Sequence, residues 1–348
     1  EDSRISGNST EATSGSAEEG SFAGGITNRG TLTLLRCSVV NNVSTGPLGQ
    51  GGGITNSGTL TLISSTVTGN RAAGAAGGLF NGVGAKATLL KSTITGNTVS
   101  STVLNHAAVT GGGITNLGSL IVTESTIASN VVSSTGMADS SSPSAMLRGA
   151  GGGIYSGGSL TLTNSTISGN TVKVEDQQQD VALGGGIYIV HRASTGPTMS
   201  SITFSTIFGN TARDSGGGIY IDSSIRRVSA EMRNSLVAGN HAATDADIAG
   251  VLTSDGYNLI QDQTGITFTP NQQHLTDVSV ARSTDMKIDP HLSGEVPQIH
   301  ALLTGSPAID RIPLNACHIN DITTDQRGTK RPQGPACDIG AYEYVPSS

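Results

Sequence analysis

Tryptophan is absent from these 348 residues, and aromatic side chains make up only 3% of them. Any core must therefore be aliphatic and small, and platforms on which sugars or bases could stack are few. Charge is scarce as well: 13% of residues are Asp, Glu, Lys or Arg, with a formal net charge of −7. That balance excludes nucleic acid and anionic membrane surfaces as partners, because both demand a basic face. No apolar run reaches the about 18 residues of a membrane span, so membrane insertion is not expected. No signal peptide opens the chain. It begins inside a repeat, since Arg4-Ile5-Ser6-Gly7-Asn8 matches Thr166-Ile167-Ser168-Gly169-Asn170, which points to a processed or truncated form. No Cys/His cluster has zinc spacing, and the cysteines number three. Cys37 lies in a strand pattern. Cys317 and Cys337 lie in a Pro- and Gly-containing tail. Their pairing would close a loop worth about 3 kcal/mol and place the chain in an oxidising compartment. Two unrelated free thiols are the other reading.

Glycine is abundant, at 48 residues, and it marks a repeat. Seven copies start on a Gly-Gly-apolar step at Gly24, Gly52, Gly77, Gly112, Gly152, Gly185 and Gly217. Each ends on an asparagine: Asn42, Asn70, Asn97, Asn130, Asn170, Asn210 and Asn240. Within a copy the hydrophobic period is two: in Ser159-Leu160-Thr161-Leu162-Thr163 the leucines face in and the hydroxyls face out. Strands this short cannot stand alone and must stack on their own copies. The expected fold is an all-β, right-handed, single-stranded parallel β-helix of about seven full coils. It spans 1–240, with a partial coil at 1–23, and the region 241–348 is its C-terminal cap.

Stacking predicts columns. Val39, Val67, Ile94, Ile127, Ile167, Ile207 and Val237 form an inward column. Cys37, Ser65, Ser92, Ser125, Ser165, Ser205 and Ser235 form a second, in which Cys37 is a buried small residue. The repeat-ending asparagines form a third, bonding coil to coil through amides that both donate and accept, and tolerating the left-handed corner. The glycine pairs are assigned to positive φ and close backbone approach. Variation collects in the joints after each asparagine. The long joints 98–111, 131–151 and 171–184 are consecutive and should build one ridge.

Past Asn240 the repeat dissolves. The tail carries Ser306-Pro307-Ala308-Ile309-Asp310, Asp325-Gln326-Arg327-Gly328 and Asp338-Ile339-Gly340-Ala341-Tyr342-Glu343. These motifs resemble the choice-of-anchor Q domain, found at the C-terminal end of parallel β-helix proteins of bacterial surfaces. The resemblance implies export and a β-helix, and no particular chemistry.

Catalytic constellations are weak. The best cluster is Asp214, Asp222, His191, Arg192, Arg226 and Arg227, against a plain reading as solvated loops. A polysaccharide lyase would need a base beside acidic groups, and a hydrolase two carboxyls about 5–10 Å apart. Lys91 and Glu124 read as a surface ion pair, and Asp325 with Arg327 as a structural pair in the cap. Asp245 and Asp247 are calcium candidates without a complete calcium loop. No other cofactor is expected. The threonine columns raise ice binding, but Lys86, Ile121, Met199 and Glu231 interrupt them. The favoured reading is a non-enzymatic extracellular or cell-surface structural or adhesive protein. It would bind a glycan or surface ligand through the ridge, or stack end to end into filaments. The alternative is an extracellular polysaccharide lyase or glycoside hydrolase.

Overall fold

The computed structural model describes residues 1–348 except 12–22, 47–48, 102–108, 135–145, 175–179, 191–198, 225–228, 271–272, 281–282, 320 and 347–348. It is a parallel β-helix, as the repeats require. Each coil contributes a three-residue strand after the glycine pair, such as Ile154–Ser156. A five-residue strand follows (Ser159–Thr163), then a short one (Thr166–Ser168), then one that leads out into the joint (Thr171–Val174). Every named strand pairing is parallel, and equivalent residues face each other coil to coil, Val122 on Leu162 and Ile127 on Ile167. The reason lies in the period. Alternate residues face the interior, so a one-residue slip would carry every leucine into water.

Both inward columns stand where the sequence places them. Val39 is 1% exposed, and Val67, Ile94, Ile127, Ile167, Ile207 and Val237 are at 0%. Each serine Oγ accepts the backbone N–H of the coil before it, from Cys37 N to Ser65 Oγ (3.0 Å) up to Ser205 N to Ser235 Oγ (3.1 Å). Cys37 is the buried free thiol of that column.

The asparagine column is a directional ladder. Asn170 Nδ2 donates forward to Asn210 Oδ1 (2.9 Å) and back to Ile127 O (2.9 Å). Its own Oδ1 accepts both Asn130 N (3.0 Å) and Asn130 Nδ2 (2.9 Å). The same pattern begins one coil earlier than the seven copies, at Asn8. A second amide ladder, Asn28–Asn56–Asn81–Asn116, runs at another corner and gives way to Ser156.

Two glycine and asparagine roles differ from expectation. The left-handed residue is the one before each ladder asparagine, as at Gly169 (φ 61°) and Ser129 (φ 55°), not the asparagine itself. Likewise positive φ falls before the pair rather than on it, as at Gly151 (φ 66°) and Ala76 (φ 54°). The pair is needed for space: a Cβ on Gly52 would lie 2.3 Å from Arg71 O, and one on Gly53 2.7 Å from Gly78 O.

Stacking continues beyond Asn240. Ile248–Ser254 and Leu259–Ile260 add parallel strands over the seventh full coil, and Ile266–Phe268 pairs in turn with Ile248–Ser254. The remainder of the tail then folds back along the flank of the helix. Gln326 bridges two coils there, accepting from Thr166 Oγ1 (2.7 Å) and donating to Thr126 Oγ1 (2.9 Å). Ala341 N donates to Thr206 Oγ1 (3.0 Å), and Asn234 Nδ2 to Ala316 O (3.2 Å). The tail is therefore a lateral arm as well as an end cap. Its apolar centre joins Leu236 and Leu259 of the helix to Ile312, Cys317, Cys337 and Ile339. Cys317 and Cys337 form the disulfide.

Candidate functional site

The long joints build a structure of their own. In each, the chain leaves on Thr98–Ser101, Val131–Ser134 or Thr171–Val174 and returns on Val109–Thr110, Met146–Ala150 or Asp180–Leu183. The returning strands pair in parallel as a three-stranded sheet. Between outgoing and returning strands lies a separate apolar core of Val99, Val109, Val132, Val172, Val174 and Ala182. The expected ridge is thus a fin with a packed base. Its tips lie outside the described residues.

Asp214 and Arg213 close the open edge of this fin, where the next joint is short. Asp214 Oδ2 accepts Ala182 N–H (2.6 Å), and Arg213 Nη1 donates to Val174 O (3.2 Å). The two side chains pair at 3.0 Å. Asp214 therefore plugs a strand edge that would otherwise present unpaired groups. Asp222 sits at the far end of the strand Ile219–Ile221, and no hydrogen bond joins it to Asp214. His191, Arg192, Arg226 and Arg227 lie outside the described residues.

The fin shelters a column that sequence reasoning missed. Tyr155, Tyr188 and Tyr220 occupy equivalent positions on successive coils. Their rings stack with centroids 5.3 and 5.4 Å apart and interplanar angles of 6° and 4°. Ala150, Val190, Leu117 and Leu183 pack around them. Tyr188 donates its hydroxyl to Asp222 Oδ2 (2.7 Å), whose Oδ1 accepts Ser224 N (3.0 Å). Burial first, then the bond to Asp222, pushes the Tyr188 phenol far above its ordinary value. The Gly-Ile-Tyr spacing was the available signal. A low aromatic total hides three rings in one column.

The calcium candidates diverge. Asp245 Oδ2 accepts Ser215 Oγ–H (2.9 Å). Asp247 is buried and turned into the asparagine ladder: Oδ1 accepts Asn240 Nδ2 (2.8 Å) and Oδ2 accepts Asp262 N (2.8 Å). It stands where earlier coils carry the second glycine of the pair. No further asparagine follows there, and an acceptor-only carboxylate ends a ladder that donates forward. Burial raises its pKa to about 6. Among the described residues, no three His, Cys, Asp or Glu side chains gather as metal ligands.

The tail motifs form a buried polar knot. Arg331 and Glu343 pair at 2.9 Å with side chains 0% and 1% exposed. Arg331 Nη2 also donates to Gly340 O (2.7 Å), and Glu343 Oε1 accepts Gln333 N (3.0 Å). Asp325 pairs with Arg327 at 2.7 Å, the structural role assigned from sequence. Asp338 accepts Asp310 N (2.7 Å) and Tyr344 N (2.6 Å), and burial lifts it to about 7. His300 clasps arm to helix: its Nε2 lies 2.6 Å from Ser168 Oγ and its Nδ1 2.7 Å from Asp289 O. Nδ1–H donating to that carbonyl leaves Nε2 to accept the serine proton, and burial lowers the imidazole pKa. Lys91 and Glu124 meet at 3.4 Å across adjacent coils, the expected surface pair.

Fold and site together define a parallel β-helix with a joint-built fin and a disulfide-bearing arm on its flank. Comparison with protein-family models, curated proteins and solved structures returns no match. The likeness of the tail to the choice-of-anchor Q domain rests on its motifs alone. No helix among the described residues is long and apolar enough to cross a membrane.

Proposed function

We propose that this chain is a non-enzymatic extracellular or cell-surface β-helix that binds a glycan or surface ligand through the tips of its fin. The observation that carries this reading is the fin's own sheet and core, which give three consecutive tips a rigid base. Binding loops held on a rigid scaffold are the usual arrangement for recognition. Export is supported by the Cys317–Cys337 disulfide and by the resemblance of the tail to a bacterial surface domain. Deleting 136–144, with the helix checked by circular dichroism, tests the reading against immobilised glycans and cell surfaces. Undiminished binding would overturn it.

The polysaccharide lyase or hydrolase is the alternative, with Asp214 its best-placed described candidate although it also holds the Ala182 N–H. A screen over acidic and neutral polysaccharides decides it: unsaturated products or new reducing ends would replace the binding reading. Filament formation by end-to-end stacking is a further proposal. It must contend with the C-terminal end, where Ile266–Phe268 and the bridge of Val278 to Leu259 already lie over the last coil. Electron microscopy of concentrated protein tests it, and dispersed single particles would end it.

A further inference from the structure

The arm carries the one Asp-Pro bond of the sequence, Asp289–Pro290, and the fold grips it from several directions. Asp289 N–H donates to Ala301 O (2.8 Å), and the neighbouring Ile288 and Leu302 form an antiparallel bridge. The Asp289 carbonyl oxygen lies 2.7 Å from His300 Nδ1, which therefore carries the proton and donates it. His300 is 2% exposed. It is fixed from the helix side by Ser168 Oγ, 2.6 Å from Nε2, and by the Phe208 ring at 4.7 Å. The Asp289 carboxylate turns along its own backbone. Its Oδ1 accepts His291 N (2.9 Å), and its Oδ2 has no hydrogen-bond partner among the described residues. Pro290 and His291 are exposed, so water reaches the bond that His300 holds from the buried side.

These are the parts that amide cleavage needs. An aspartate carboxylate is a competent nucleophile, and attack on its own carbonyl carbon closes a five-membered ring without any diffusional step. The proline amide has no N–H, and its nitrogen leaves as a secondary amine once protonated. A fixed N–H on the carbonyl oxygen stabilises the oxyanion that forms there.

We infer that Asp289–Pro290 is a self-cleaving bond, with Asp289 as the nucleophile and His300 as the donor that holds the oxyanion. Asp289 Oδ2 bonds to the Asp289 carbonyl carbon, and the displaced electron pair moves to the oxygen that His300 Nδ1–H already holds. That pair returns as the C–N bond to Pro290 breaks, and the proline nitrogen takes a proton from solvent. Water then opens the cyclic anhydride, leaving a carboxylic acid on Asp289 and a free amine on Pro290. The sum is hydrolysis of the amide by water. Acid favours it. Burial holds the imidazole pKa below its ordinary value, and as pH falls through that lowered value the ring gains charge and donates more strongly. Asp289 and His291 are the titratable groups facing the ring, while Ser168 and Phe208 on the helix side are uncharged. Both cysteines of the disulfide follow the cut, so the severed arm would stay on the flank by non-covalent contacts alone. The inference does not rest on the role of the fin.

Incubating the intact protein at about pH 5 tests this, with circular dichroism to follow the fold and mass spectrometry with N-terminal sequencing to find the cut. A new terminus at Pro290 should accumulate at least about tenfold faster in the folded protein than in the same protein unfolded in urea at that pH. Asp289→Asn keeps the acceptor for His291 N and loses the nucleophile, so it should stop the reaction. His300→Ala should slow it about tenfold or more. Three results would overturn the inference: no cut at this bond, a rate in urea equal to or above the folded rate, or undiminished cleavage in either variant. The folded and unfolded rates are compared without any substitution, so that comparison stays decisive should His300→Ala release the arm.

Discussion

Replacing Asn170 by alanine tests the directional ladder at mid-stack. The side chain has four polar contacts to lose. Its Oδ1 accepts Asn130 N and Asn130 Nδ2, while its Nδ2 serves Asn210 Oδ1 and Ile127 O. Its backbone N–H keeps its own bond to Asn210 Oδ1 (3.0 Å) in the variant. Two donors on Asn130 are left without an acceptor in a fully buried place. At about 1–3 kcal/mol for each orphaned donor, the substitution should cost about 2–6 kcal/mol. That rivals a large part of a domain's whole stability, about 5–15 kcal/mol. In a solenoid the loss falls on the coil and its two neighbours. Urea unfolding should be followed by far-ultraviolet circular dichroism and by tyrosine fluorescence, which no tryptophan masks. Coincidence of the two probes licenses a single free energy. Thr161→Ala, outward and exposed on the same coil, should change stability by no more than about 0.5 kcal/mol. Asn170→Asp keeps the acceptor but turns an acid toward two acceptors, so it should be less stable at pH 8 than at pH 5. A cost below about 1 kcal/mol for Asn170→Ala would refute the reasoning, because it would mean that the ladder's donors find water or relax.

Glu343→Ala should cost about 3–5 kcal/mol, because it strands the buried Arg331 guanidinium; loss of the arm's urea transition at lower denaturant reads it. Asp214→Ala should leave the helix intact and speed hydrogen exchange at the Ala182 amide, whose acceptor it removes. The arm should respond to pH from both sides. His300 has a folded pKa below its ordinary 6.5, so its contribution is complete above that value and is lost as pH falls through the lowered folded value. Asp338 is raised from 3.8 to about 7, so its contribution is complete below 3.8 and is lost as pH rises through about 7. Stability measured from pH 4 to 8 should have a smaller acid-side fall in His300→Gln and a smaller alkaline-side fall in Asp338→Asn.

Much of this molecule is set locally. The period of two in Leu160 and Leu162 dictates strands. Recurrence of Ile167 and Asn170 in seven copies dictates stacking, because no single coil can bury its leucines or satisfy its amides alone. Column membership, the serine and asparagine ladders and the ridge are legible from that arithmetic, while the Asp325–Arg327 pair, outside the repeat, is legible from opposite charges two residues apart. Other features depend on residues that only the fold makes neighbours. Ser168 and His300 are separated by 132 positions and Thr126 and Gln326 by 200, so no spacing rule announces an arm on the flank. Asp214 reads as an acid in a loop until the Ala182 N–H it accepts is in place. Asp247, a calcium candidate by sequence, has its oxygens on Asn240 Nδ2 and Asp262 N, neighbours that only the fold supplies. Three tyrosines in a composition poor in aromatics become a stack only because the coil rise sets equivalent residues about 5 Å apart. Sequence fixes what repeats, since repetition is a local property of the chain. Tertiary structure decides where repetition stops, since an ending is defined by which groups no next coil remains to pair.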